Sequence, residues 1–114
     1  MPQTNSIIKA PPAAVEATLR KLGANIRTAR LRRKLRLEDL AKKVGVSRYV
    51  LSDIEKGKPS TAIATYMGAL WALGLLEDMK DVASPDNDTE GKILEKARAP
   101  KTAGKRKKEL DNDF

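Results

Sequence analysis

Arg48, Tyr49, Ser52, Asp53 and Lys56 carry the most suggestive polar chemistry in the chain. At helical spacing, with Leu51 and Ile54 turned the other way, these five share one outward face. A guanidinium and a phenol near the start of such a helix can donate to base edges, while neighbouring hydroxyls and ammonium groups hold phosphate oxygens. A face of this kind suits the major groove of a duplex. The rest of the chain offers little other chemistry. Its 114 residues include neither His nor Cys, which removes disulfides, thiolate nucleophiles, imidazole relays and ordinary nitrogen–sulfur zinc sites. With no phosphate loop and no paired carboxylates in a recognisable setting, the sequence points to no enzyme, no cofactor and no metal.

The charge agrees with a polyanionic partner. Lys and Arg number 23 against 15 Asp and Glu, for a net charge of +8 and a pI near 9.9. The charge is also segregated. Residues 20–58 hold 13 basic and 4 acidic side chains, residues 59–91 hold 1 and 6, and residues 92–108 hold 8 and 1. Two basic blocks therefore flank an acidic waist, as expected for one binding face and one basic tail.

Helices must position these groups, and the apolar spacing supplies them. Residues 1–12, with Pro2, Pro11 and Pro12, read as a flexible arm that ends where Pro12 can open a helix. Val15, Leu19, Leu22, Ile26 and Ala29 mark a first helix to about Lys34. Leu37, Leu40, Ala41 and Val44 mark a second, ending at Gly45 as a left-handed cap. Ser47 caps a third, Arg48 to about Lys56, which ends at Gly57. Ser60 or Thr61 caps a fourth, whose apolar face is Ile63, Tyr66, Met67, Leu70 and Leu73. Leu75, Leu76, Met79 and Val82 suit a short fifth helix, residues 84–88 a turn, and residues 89–98 a sixth helix stopped by Pro100. The expected architecture is an all-α bundle of four to five helices with a short C-terminal helical extension. Its parts are an arm (1–12), a helix-turn-helix domain (13–82, motif 37–56), a turn and short helix (83–100), and a disordered basic-then-acidic tail (101–114). The tail includes the KRKK run at 105–108.

The three-residue link Gly45-Val46-Ser47 lets the second and third helices cross steeply, and small Ala41 lets them approach. Leu22 to Leu75, around the core LA-x-x-VGVS-x-x-x-LS-x-IE-x-G, resembles the lambda-repressor-like helix-turn-helix regulators of the Cro and phage-repressor type. The resemblance implies a structural ion pair between Arg30 and Glu55. It places Arg48, Tyr49 and Asp53 at base-reading positions. Ser52 flanks them, and Lys56 with the Gly57 and Lys58 backbone falls at a phosphate clamp. Ser47 and Lys43 join the expected backbone contacts. The chain departs from the family at Lys34, Arg36 and Leu37, where many members have Gly and then Thr-Gln. The Gln phosphate contact is therefore absent, and Arg36 replaces it through charge. Asp53 needs a cytosine amino group to accept from, or Arg48 to orient.

The stretch MKDVASPDNDTEGKILEKARAPK is similar to the C-terminal extension of HipB-like antitoxins, whose toxin partner is a HipA-like serine/threonine kinase. That likeness implies a homodimer on inverted-repeat operator DNA that represses its own operon and holds the kinase. Glu77, Asp78, Asp81, Asp86 and Asp88 are then candidate kinase contacts, and Leu75, Leu76, Met79, Val82, Ile93 and Leu94 candidate dimer contacts. Trp71 reads as core or dimer contact. The alternatives are a stand-alone repressor without a toxin, or an interaction module that does not bind DNA. The uncharged run Pro59–Leu76 contains Pro59, Gly68 and Gly74 and reads as a loop plus buried helix rather than a membrane span. No secretory core follows Met1, so a cytoplasmic location is expected.

Overall fold

The computed structural model describes residues 6–99, and every regular element among them is helical. They are α1 (Ser6–Lys9), α2 (Ala13–Arg32), α3 (Leu37–Val44), α4 (Arg48–Glu55), α5 (Ile63–Ala72), 3₁₀ segments Leu76–Asp81 and Pro85–Asn87, and α6 (Thr89–Arg98). The chain divides into two compact units. The first runs to Glu77 and the second begins at Asp78.

In the first unit, α3 packs on α4 and α5, and α2 and α5 both pack on α4. Burial along α2 follows from this arrangement. Val15 is exposed and Leu19 and Leu22 are half-buried, but Ile26 is fully enclosed and Ala29 nearly so, because the other helices cover only the C-terminal part of α2. Ile26, Leu40, Leu51 and Ile54 are the largest fully buried side chains. Burying each of them stabilises the fold by about 1.5–3 kcal/mol. Gly23 sets the closest approach, since a Cβ there would lie 2.5 Å from the Ile54 carbonyl oxygen.

The helix ends have local causes. At α3, Asp39 Oδ2 accepts from the Arg36 backbone N–H at 2.9 Å, and acids in the first turn with Lys42 and Lys43 in the last suit the helix dipole. Gly45 takes the left-handed φ of 88° that closes α3. Ser47 Oγ accepts from Val50 N at 3.2 Å and starts α4. At the other end of α4, Lys58 N donates to the Asp53 carbonyl and Gly57 N to the Ile54 carbonyl, the paired bonds of a Schellman motif with Gly57 at φ 72°.

Three expectations about these elements need correction. Ser60 and Thr61 do not cap α5; Ala62 precedes it without a side-chain bond. Tyr66, Leu70 and Leu73 are buried, but Ile63 and Trp71 are 69% and 63% exposed. Neither belongs to the core, because α3 and α4 cover one side of α5 only. Residues 6–9, assigned to a flexible arm, form a helical turn closed by Ala10 N donating to the Ser6 carbonyl.

The second unit contains α6 packed on the Pro85–Asn87 turn. Asp88 Oδ1 accepts from Gly91 N at 2.9 Å and so starts α6. The expected fifth α-helix is a 3₁₀ segment at the junction of the units. Leu76, Met79 and Val82 recur every three residues, the period of a 3₁₀ helix, which accounts for the tighter winding. The expectations for residues 1–5, for Pro100 and for the 101–114 tail lie outside the described residues.

Candidate nucleic-acid interface

The third helix expected from the sequence is α4, and its inward and outward sides are cleanly divided. Leu51 and Ile54 are completely buried, which turns Tyr49, Ser52, Asp53 and Lys56 outward, with Arg48 at the edge of that face at the N-terminus. Tyr49 is 70% exposed. The Arg48 guanidinium lies 5.2 Å from the centre of the Tyr49 ring, and its Nη2 donates to the phenol oxygen at 3.3 Å. The pair thus presents a stacked cation and ring beyond the helix start. The Arg48 and Tyr49 backbone N–H groups belong to the first helical turn and have no acceptor within the helix.

The base of this face is held by charge. Arg30 sends Nε to Glu55 Oε2 at 2.7 Å and Nη2 to Glu55 Oε1 at 3.0 Å, and its Nη1 donates to the Leu35 carbonyl at 2.9 Å. Both ends of the ion pair are nearly enclosed. The hydrogen bonds to Glu55 hold the Arg30 guanidinium above its ordinary range, against the opposing effect of burial. α2 and the end of α4 are therefore joined by a two-pronged, largely dry contact.

The remaining candidates differ in how far they are engaged. Lys43 and Lys56 are exposed, and Ser47 Oγ accepts inside the cap but keeps its O–H for an outside acceptor. Asp53 Oδ1 is 3.4 Å from Lys58 Nζ, so the acid expected at a base-reading position also screens a lysine of the expected clamp. The backbone part of the expected clamp is engaged within the fold. The N–H groups of Gly57 and Lys58 already close α4, which leaves the Lys56 and Lys58 side chains as the donors of that loop. Arg36 is likewise engaged. It grips Asp39 through Nε and Nη2, both at 3.1 Å, and lies 3.2 Å from Glu38, so its charge is largely answered at the start of α3. Asp39 is held below the ordinary carboxylate range by those side-chain bonds and by the Arg36 backbone N–H.

Two contributors escaped the sequence reading. Gly23 admits the end of α4, and its place between Leu22 and Ile26 on the buried stripe was the available signal. Tyr66, assigned only to the core, also donates its phenol to the Lys58 carbonyl at 2.8 Å and fixes the loop after α4. Burial, with the nearby Asp53 charge, raises the Tyr66 phenol above its ordinary range.

A short helix with an exposed polar face, set by a tight turn on a second helix and buttressed by a bundle, defines a helix-turn-helix protein of the DNA-binding class. The profile of the helix-turn-helix domain family matches residues 21–81, more than half of the chain, and the chain belongs to that family. Comparison with curated proteins and with solved structures gives no match. Among the described residues there is no cluster of acids that could hold a metal, and no helix is long and apolar enough to cross a membrane.

Proposed function

We propose that the chain is a sequence-specific DNA-binding transcriptional regulator that sets α4 into the major groove of an operator. The observation that carries this reading is the Arg48–Tyr49 pair, exposed at the start of a capped helix whose far end is anchored by Glu55 to Arg30. Arg48 and Tyr49 read base edges, and Asp53 takes the third reading position by accepting from a cytosine amino group. Lys43, Ser47, Ser52, Lys56 and the Lys58 side chain hold backbone phosphates, and Arg36 joins them once released from Asp39. The protein acts as a homodimer on an inverted repeat, with recognition helices about 34 Å apart. Val82, Ile93 and Leu94, all more than half exposed, together with Leu75, Leu76 and Met79, supply its apolar contact.

The finer role we propose is that of an antitoxin that represses its own operon and holds a HipA-like serine/threonine kinase. Its support is the sequence likeness over residues 79–101 and the exposed acids Asp78, Asp81 and Asp86. The deciding experiment expresses tagged protein from its native operon, identifies co-purifying protein and DNA, and runs Arg48→Ala in parallel. Recovery of a kinase and a promoter inverted repeat, with only the DNA lost in the variant, supports the antitoxin. DNA without a protein partner leaves a stand-alone repressor, and recovery of neither overturns the regulatory reading.

A further inference from the structure

We propose that the protein holds an additional DNA backbone phosphate outside the helix-turn-helix, in a basic pocket built from its N-terminal segment, the start of α2 and the loop after α4. The proposal rests on the DNA-binding reading above. The pocket, about 290 Å³, is lined by Ile8, Lys9, Pro11, Glu16, Arg20, Lys56, Gly57, Lys58 and Pro59. Lys9, Arg20, Lys56 and Lys58 bring four cations to it from three separate segments, against one lining acid, Glu16.

The backbone explains why they meet. Gly57 has no Cβ and a left-handed φ, and it rests directly on the Leu19 carbonyl and the Arg20 backbone nitrogen. That contact draws the lysines on either side of Gly57 to the Arg20 end of α2. The Tyr66 phenol, bonded to the Lys58 carbonyl, holds the loop there. The α1 turn and Pro11 bring Ile8 and Lys9 into the lining.

The local charge favours a phosphate. Arg20 is paired with Glu16 at 2.6 Å and Lys58 with Asp53 at 3.4 Å, so both are steered as well as partly answered. Among the described residues no acid lies within bridging distance of Lys9 or Lys56, and an anion in the pocket completes the set. The pocket is also continuous with the proposed DNA face. Lys56, which caps the end of α4, belongs both to the pocket and to the polar side that carries Tyr49, so a phosphate held in the pocket can belong to the same duplex that α4 reads. Lys9 and Arg20 both precede the family match, which begins at residue 21.

The test compares the full-length protein with K9Q/R20Q, with K9Q alone, and with K92Q/K96Q, which removes the same net charge from exposed α6. Affinity is measured over a salt series on the operator recovered above and on random duplex of equal length, after thermal melts establish that each variant folds. Each lost phosphate contact flattens the dependence of log affinity on log salt by about 0.9, so K9Q/R20Q is expected to be shallower by up to about 1.8 on both DNAs, K9Q by about half that, and K92Q/K96Q unchanged. An unchanged slope for K9Q/R20Q in a wild-type protein that binds DNA overturns the pocket while leaving the regulator reading intact. Equal flattening in K92Q/K96Q also overturns it, since net charge alone then explains the loss. A pyrophosphate-induced rise in Tm that K9Q/R20Q abolishes without any change in DNA slope overturns it in favour of a free anion. Absence of DNA binding by the wild type instead brings down the reading on which the pocket rests.

Discussion

Arg30 and Glu55, 25 positions apart, meet through two hydrogen bonds of 2.7 and 3.0 Å and bind α2 to the end of α4. Removing one partner leaves the other charged and nearly enclosed, which costs about 3–5 kcal/mol. Glu55→Gln and Arg30→Met should each lower stability by that order in urea unfolding, and the double replacement should cost less than the sum. Additive losses would mean that the two residues act separately.

Gly45 and Gly57 share a left-handed backbone but differ in their surroundings. A Cβ on Gly45 meets nothing within 4 Å, whereas one on Gly57 strikes the α2 backbone. Gly45→Ala should therefore cost about 1–2 kcal/mol from conformation alone. Gly57→Ala adds overpacking against Leu19, for a total of about 2–5 kcal/mol. Denaturant midpoints with unchanged slopes would measure both, and equal losses would contradict the close approach.

Lys34 occupies a position that the fold shapes for glycine. Lys34 N donates to the Leu31 carbonyl and Leu35 N to the Arg30 carbonyl, the Schellman bonds that end α2, with Lys34 at φ 56°. Lys34→Gly should relieve the left-handed strain and stabilise the protein by about 0.5–1 kcal/mol after its entropy cost. A loss of stability on that replacement would show that the lysine stem contributes more than the strain removes.

How far these features were legible depends on whether their cause is local. The Leu37–Val44 and Arg48–Glu55 helices, the Gly45 cap and the Ser47 cap follow from spacing and cap chemistry within a few residues. The exposure of Ile63 and Trp71 does not, because only the placement of α3 and α4 decides which side of α5 is covered. The engagement of Arg36 by Asp39 has a local signal, an acid three residues ahead at a helix start, whereas the family resemblance implies a phosphate contact at Arg36. The basic pocket brings residues 9, 20 and 56–58 together by tertiary closure at Gly57, and no sequence period carries that.

Acid should act on the start of α3. The folded state holds the Asp39 carboxyl below its ordinary value of 3.8 through Arg36. A depressed folded value means that Asp39 contributes stability above the unfolded value, and that this contribution disappears as pH falls from about 4 through the lower folded value. Asp39→Asn should therefore make the stability–pH curve shallower below about pH 4 and leave its shape at neutral pH unchanged. Identical acid limbs in the two proteins would remove Asp39 from that linkage.

Base reading and backbone holding should separate in binding measurements. Arg48→Ala or Tyr49→Ala removes half of a stacked pair at the helix start, and each should reduce operator affinity by about 1–3 kcal/mol with little change on random duplex. Lys56→Ala removes a phosphate donor, so it should weaken both DNAs alike and flatten the salt slope by about 0.9. The two kinds of variant also differ in which base changes they tolerate. With Arg48 truncated, substitutions at the base pair it reads should no longer reduce affinity, whereas the Lys56 variant should keep the wild-type preference at every position. Equal losses on operator and random DNA for Arg48→Ala and Tyr49→Ala would assign those residues to the backbone and leave base reading to Asp53 or to DNA shape.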